Sequence, residues 1–373
     1  MTSALERPPV LALEDLPKRF LPSWLYVDPA VALQERHAYA ARLWHPLAAS
    51  DRLGEGLVLA VQLLEQPVLL TRERGDVHAF HNRCPHRGVP FTLPAAQPSP
   101  VAAPASIPAA HACRRLVCPY HGWTYDLQGR LLAAARESDF LEPFQRQDWP
   151  LEAFPCRELG GLIWVAGGAD PLPLEEQLDL LLAEAGEALE QPRQLLAVDS
   201  RSLHCNWKIA HDNTLDDYHV AIAHPTTLHR EQGPVRHYRH ALTAHGSLLA
   251  TPWGDGQAEF LTFGLAPWTH LLLWPDGRLA LIQFPPIDPG RCRMEVWLLG
   301  GDKHRADLAA WRAELQTFLE EDRRLVEGAQ IGYASGLRPG PPHRLEQRLL
   351  QQQALYGRLM GMEFSAEASG SVD

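Results

Sequence analysis

Two short strings constrain this chain more than anything else in it: Cys84-Pro85-His86-Arg87-Gly88 and Cys118-Pro119-Tyr120-His121-Gly122-Trp123. Each sets a thiolate and an imidazole close together, with a proline beside the cysteine and a glycine after the histidine. Such residues favour tight turns, so the sulfur and the nitrogen of each string can be aimed at one place. Two thiolates on one iron and two neutral imidazoles on the other describe a mixed-ligand [2Fe–2S] centre. Its smaller negative charge raises the potential above that of an all-cysteine cluster. Zinc sites draw on the same residue types and form the competing reading, but the complete strings are far more restrictive than ligand types alone. Gly88 and Gly122 are expected where the backbone bends and its N–H groups approach the sulfides.

The rest of the chain is large enough to do more than hold a cluster. At 373 residues and 46% hydrophobic it can bury the cores of two domains. Its formal charge is −11, from 34 basic and 45 acidic residues without a basic run, which argues against a nucleic-acid partner. The six cysteines (84, 113, 118, 156, 205 and 292) show no pairing pattern, so a reducing compartment is expected. The opening MTSALERPPVLALEDLPKRF lacks the order of a signal peptide, and no apolar run approaches a membrane span. A soluble cytoplasmic protein with no membrane partner is the expectation.

The pattern divides the chain into four segments. Residues 1–37 are interrupted by prolines and are expected to form an arm packed on the domain at 171–364. Residues 38–170 carry short strand-like runs, such as Leu57-Val58-Leu59-Ala60-Val61 and Gly161-Leu162-Ile163-Trp164-Val165, separated by turns. This spacing suits a small all-β domain with the two half-sites on adjacent loops. Asp126 to Arg130 reads as a hairpin turn after the second half-site, and 150–165 as the returning strands. The stretch Thr92 to Ala112, rich in Pro and Ala, reads as a surface loop. Residues 171–364 begin with helical periodicity over 174–190. They continue with alternating runs from about Arg236 to Leu299, and end in an amphipathic helix from Lys303 to Gln330 with Leu308, Trp311, Leu315, Phe318, Leu319, Leu325 and Val326 on or near one face. Residues 365–373 are expected to be a disordered tail. The fold class is therefore α+β: a small all-β [2Fe–2S] domain plus a larger domain of helices and antiparallel sheet.

A second constellation lies in Asp216-Asp217-Tyr218-His219-Val220-Ala221-Ile222-Ala223-His224. His219 and His224 are slightly more than one helical turn apart, and can face one metal if a helix bulges or ends between them. A mononuclear oxygenase iron needs two histidines and a carboxylate on one face, the other positions being open. Glu320, Glu321 and Asp322 are candidates for the carboxylate, although charge runs are usually solvated faces. His204, His211, His229 and His237 read as structural or exposed. Trp253, Phe263, Trp268, Trp274 and Phe284 could line an apolar pocket, but each is more readily a core residue.

The half-sites and the Asp216–Pro225 string closely resemble the ring-hydroxylating, Rieske non-haem iron oxygenases, aromatic-ring dioxygenase α subunit. The resemblance runs from about Trp44 to Gln330. It implies Cys84, His86, Cys118 and His121 as ligands of a Rieske [2Fe–2S] cluster, and His219, His224 and Asp322 as ligands of a mononuclear Fe(II). It also implies O2 as co-substrate and electrons from NAD(P)H through a separate ferredoxin or flavin reductase. Asp216 would bridge His219 to a cluster histidine of a neighbouring subunit, which implies a homotrimer. Family members acting on choline-, betaine- or carnitine-like compounds tend to carry Glu at that position and ring hydroxylators Asp. Asp216 therefore points to an aromatic or related apolar substrate, with quaternary-ammonium demethylation or monooxygenation as the alternative and a pure Rieske electron carrier as the lesser one. The segment between the half-sites is longer than the family's usual one, and Cys113 at its end reads as a bystander thiol.

Overall fold

The strands Leu57–Leu63 and Gln66–Glu73 are rich in leucine and valine, and the side chains that alternate along them bury on both faces, Leu59, Val61, Val68 and Leu70 in one core and Val58 and Leu69 in another. The two strands pair antiparallel, and the second continues into Asp76–His81 through Arg74 and Gly75. Both turn residues have positive φ, 58° and 86°, as a two-residue hairpin turn of the primed type requires. The Glu55 carboxylate accepts from both of their N–H groups at 2.5 and 3.0 Å, which fixes the turn.

The computed structural model describes residues 8–92, 109–228 and 233–362. The chain divides into two compact units, one of residues 40–171 and 192–195, the other of 1–39, 172–191 and 196–373. The first unit is built from β-sheets: five strands in the order His111–Ala112, Leu57–Leu63, Gln66–Glu73, Asp76–His81 and Ala153–Phe154, and two of three strands each. One of the small sheets, Leu116–Val117 with Thr124–Tyr125 and Leu131–Ala133, carries the second half-site at its first turn. The expected hairpin turn is present. Asp126 N–H donates to Arg130 O at 3.1 Å, and the Asp126 carboxylate accepts from the N–H groups of Gln128 and Arg130. Of the segment expected as a surface loop, 93–108 lies outside the described residues. Its end, His111–Ala112, is a strand paired with Leu57–Leu63 rather than a loop.

The second unit holds an antiparallel sheet, all of it but Gln194 and Leu195, in the order Gln194–Leu203, Arg291–Gly300, Leu279–Gln283, Thr269–Leu273, Ala258–Leu265, Gly246–Trp253 and Arg239–Leu242, with Pro286–Asp288 attached to Arg291–Gly300. Its central strands, Thr269–Leu273 and Leu279–Gln283, are buried throughout. The long helix spans Leu308–Ala334, later at both ends than the sequence suggested. Before it, Asp302–His304 forms a 3₁₀ turn with Gly301 N–H donating to His304 Nδ1 at 3.0 Å. Its end is set by Gly336, at φ 80°, with Gly336 N–H donating to Tyr333 O and Leu337 N–H to Gly332 O, the Schellman arrangement. Trp311, Leu315, Leu319 and Val326 form the buried seam, whereas Leu325, expected near that face, is 46% exposed.

The helices Pro29–Arg42 and Trp207–Leu215 are tied together by a buried ion pair, Lys208 Nζ to Glu35 Oε1 at 2.5 Å. Glu35 also accepts from Trp207 Nε1 and Tyr356 Oη, so its carboxylate is not left unmatched in the interior. No helix among the described residues is long and apolar enough to cross a membrane. The tail expected at 365–373 lies outside the described residues.

Candidate metal centres

The two Cys/His strings fold as matched turns. Gly88 N–H donates to Cys84 O at 2.8 Å and Cys84 N–H to Val89 O at 2.8 Å; Gly122 N–H donates to Cys118 O at 3.0 Å and Cys118 N–H to Trp123 O at 2.8 Å. Gly88 and Gly122 have φ of 76° and 71°, so both turns close through a conformation that a side chain would disfavour. Cys84 and Cys118 are buried in a core with Leu116, Trp123, Tyr125 and Leu131. His121 is exposed and His86 half-buried, their ring centroids 4.6 Å apart. His86 lies flat on Trp123, 5.1 Å away. Two buried thiols and two imidazoles nearer the surface are the donor set that a mixed-ligand [2Fe–2S] cluster would need. Burial pushes the Cys84 thiol up to about 11, helped by the adjacent Cys118, so thiolates here need a cation to offset them. Cys113 donates its S–H to Arg115 O at 2.8 Å.

The second site is assembled from helix ends. Asn206 caps Trp207–Leu215 by accepting from Lys208 N–H, and that helix stops at Asp216, whose ψ of 95° is extended. Asp216 and Asp217 therefore lie beyond the helix. Asp216 Oδ1 accepts from Tyr218 N–H at 2.8 Å. That bond leaves Oδ2 3.4 Å from His219 Nδ1, within ion-pair reach. Asp217 points away into the interior, accepting from Arg348 Nη1 at 3.1 Å and facing His240 Nε2 at 2.8 Å. A single helical turn, Val220–Ala223, then separates His219 at its start from His224 at its end.

His219 Nε2, His224 Nε2 and an Asp322 carboxylate oxygen converge. The two nitrogens are 3.2 Å apart, and Asp322 Oδ1 is 2.9 Å from His224 Nε2 and 3.4 Å from His219 Nε2. Neighbouring positions of an octahedron with metal–ligand bonds of about 2.1 Å are about 3 Å apart, so the three atoms fit one face around a single ion. Each imidazole turns its other nitrogen to a carboxylate, His219 to Asp216 and His224 Nδ1 to Glu321 Oε2 at 2.6 Å. Metal-bound histidines are commonly oriented in this way. Glu321, a rival ligand in the sequence, thus sits behind His224 and also accepts from Thr227 Oγ1. Burial works to lower the pKa of His219, yet Asp216 and Asp322 raise it to about 10; burial would raise Asp322, yet the two histidines hold it down to about 2. Protons on the imidazoles stand where a dication would be bound.

A narrow cleft opens at His219 and Asp322, with Thr262, His270, Phe318 and Arg348 among its walls. It shares Leu228 and Phe318 with a second cleft lined by Trp253, Trp274 and Trp311. The faces of Trp274 and Trp311 are already taken by the Arg278 guanidinium, 5.2 and 5.5 Å from the ring centroids. Phe263, Trp268 and Phe284 are core residues. His211 is buried, His204 and His237 are exposed, and His229 lies outside the described residues. His270 and Arg348 carry no local motif and went unnoticed in the sequence.

Residues 43–145 match the Rieske [2Fe-2S] domain family, and residues 192–362 the ring hydroxylating alpha subunit (catalytic domain) family. The glycine betaine monooxygenase oxygenase subunit of Chromohalobacter salexigens is 31% identical over 56% of this chain and 44% of its own length, so the chain spans less than half of that relative. The carnitine monooxygenase oxygenase subunit of Escherichia coli K12 is 27% identical over 84% of both chains. Among solved structures, a quaternary ammonium Rieske monooxygenase bound to L-carnitine aligns with a TM-score of 0.75 and 23% identity, over 94% of this chain and 99% of that one. Naphthalene 1,2-dioxygenase from Rhodococcus aligns with a TM-score of 0.72 and 17% identity, over 91% and 94%. These structural likenesses show a common fold. The chain thus carries a Rieske [2Fe–2S] domain followed by the catalytic domain of a ring-hydroxylating α subunit, the domain order of its Rieske oxygenase neighbours.

Proposed function

We propose that this chain is the terminal oxygenase of a multicomponent system that inserts oxygen from O2 into a small organic substrate. Cys84, His86, Cys118 and His121 would hold the cluster, and His219, His224 and Asp322 the mononuclear iron. When bound, the cluster supplies electrons one at a time and the ferrous ion an open face at which O2 is reduced. The observation that carries this reading is the convergence of His219, His224 and Asp322 on one face. The chain's own part is to fix that face. Asp216 and Glu321 set the two imidazole orientations, and the buried seam of Leu308–Ala334 places Asp322.

Asp216 is the proposed relay. Its Oδ2 faces His219, and in a homotrimer the same carboxylate would reach His121 of the partner subunit. Electrons would come from NAD(P)H by way of a ferredoxin or flavin reductase. For the substrate we infer a quaternary ammonium compound. The relatives that cover most of this chain are named for carnitine, and that likeness extends through the catalytic domain. An aromatic substrate is the second reading, favoured by Asp216 only in that the family's ring hydroxylators carry Asp there, a position that serves the relay and does not touch substrate.

The test is an absorption and EPR spectrum of anaerobically purified protein before and after dithionite, with iron, zinc and sulfide counted per chain. The expected outcome is a reduced Rieske signal with three irons, two from the cluster and one mononuclear. Two irons in fully loaded protein would indicate an electron carrier, and zinc without sulfide would overturn the assignment. O2 uptake with carnitine-like and aromatic compounds then separates the two substrate readings.

A further inference from the structure

We propose that His270, together with Arg348, is a substrate-binding pair that holds a carboxylate of the substrate in the cleft above the metal triad. The proposal rests on the reading of that cleft as the oxygenase site and narrows its substrate to one bearing a carboxylate.

His270 lies at the centre of the sheet, in Thr269–Leu273, opposite Gly264 on one side and Ile282 on the other. It is 8% exposed, and neither ring nitrogen has a hydrogen-bond partner. Each of the other buried histidines of the described residues has at least one ring nitrogen engaged. His211 Nε2 meets Thr269 O at 3.2 Å, His224 meets Glu321 and Asp322, His304 accepts from Gly301 N–H, and His45 also has a partner. An unmatched buried polar group costs about 1–3 kcal/mol, so a protein keeps one where a ligand will satisfy it.

Arg348, 1% exposed, lines the same cleft. Its Nη1 donates to Asp217 and its Nη2 to Thr262 O, while Nε is buried without a partner. A donor on each residue therefore remains unspent in a cleft that His219 and Asp322 also line. Burial first, and then the positive charge of Arg348, keeps His270 neutral. A neutral imidazole carries one N–H donor and adds no charge beside the metal ligands. The charge of Arg348 is balanced by Asp217, so its Nε–H serves geometry more than attraction. Donors of this kind suit an acceptor oxygen, and a carboxylate can take one hydrogen bond on each of its oxygens. Bound there, the far end of a small substrate is left to face the triad.

The experiment is calorimetric binding to the holoprotein of two matched pairs of probes: glycine betaine against tetramethylammonium, and benzoate against toluene. It is run on wild type, His270→Phe and His270→Gln, with iron counted in each. In wild type at least one carboxylate should bind about tenfold or more tighter than its carboxylate-free partner. His270→Phe should erase that preference with the carboxylate-free probe unchanged, and His270→Gln, which keeps an amide donor, should recover most of it. In turnover the loss should fall on KM more than on kcat. Equal weakening of both members of a pair in His270→Phe, or no preference for either carboxylate in wild type, would overturn the proposal. Those results would leave three irons per chain and O2 uptake intact. A missing third iron in wild type would instead fault the oxygenase reading itself.

Discussion

Cys84 and His86 sit two residues apart on a single turn, and Cys118 and His121 three apart on another. His224 and Asp322 meet although 98 positions separate them. In the first region the backbone hydrogen bonds of the turn itself, Gly88 to Cys84 and Gly122 to Cys118, set the ligand geometry. In the second, a helix end, a one-turn helix and a 27-residue helix must each be seated before the ligands converge. Ligands within one turn depend on local conformation. Ligands from distant elements depend on everything that packs those elements, and so should respond to changes far away.

The largest effect should come from removing a ligand from each region in turn. Cys118→Ser is expected to lose the two cluster irons and their sulfide while the mononuclear iron remains; Asp322→Ala should do the reverse. Turnover should fall more than about a hundredfold in both. Metal analysis and EPR check this, and a cluster that bleaches in Asp322→Ala would break the contrast. Next is Glu35→Ala, remote from either metal site. Leaving Lys208 buried and unpaired should cost the second unit about 3–5 kcal/mol. Urea unfolding followed by tryptophan fluorescence should show this loss, while the visible absorption of the cluster persists at denaturant concentrations that unfold the other unit. Simultaneous loss of both signals would mean that the regions are not independent.

What could be read in the chain divides along the same line. The half-sites, the hairpin at Asp126–Arg130 and the strand pattern of both sheets rest on local chemistry, and were legible as such. His219 and His224 were legible as a pair because the turn between them is local. Asp322 was separated from Glu320 and Glu321 only by the family resemblance, and the tertiary packing supplies the physical reason. Leu315, Leu319 and Val326 set which side of the long helix is buried, and this decides which carboxylate meets the histidines. His270 and Arg348 were invisible for the same reason, since only the folded sheet leaves their donors unmatched. The helix ends moved because the Schellman turn at Gly336 and the 3₁₀ turn at Asp302–His304 compete with periodicity, which carries no information on stops.

A smaller change sharpens the comparison at the relay. Asp216→Asn should keep all three irons and reduce its cluster normally, with turnover about 10–100-fold lower. Single-turnover kinetics after dithionite reduction measure it, and normal turnover would remove Asp216 from the path. The smallest effect is expected from Asp212, half-buried and hydrogen-bonded by Tyr26 Oη and Gln353 Nε2. Burial raises its pKa to about 7 despite those donors. The folded state thus binds a proton that the unfolded chain, with an Asp pKa of about 3.9, releases earlier. Its contribution to stability is complete below about pH 4 and is lost as pH rises through about 7. Asp212→Asn should flatten that decline, by a few kcal/mol at most, in unfolding curves taken from pH 5 to 8.

The one-turn helix between His219 and His224 has a consequence for how such a stretch can vary. Ala221 and Ile222 are exposed, Ile222 at 80%, so their identities carry little weight in packing. The number of residues in the turn is another matter, because one more or one fewer would rotate His224 by about 100° and carry its nitrogen away from Asp322. Drift in spelling should therefore be tolerated here, and drift in length should not.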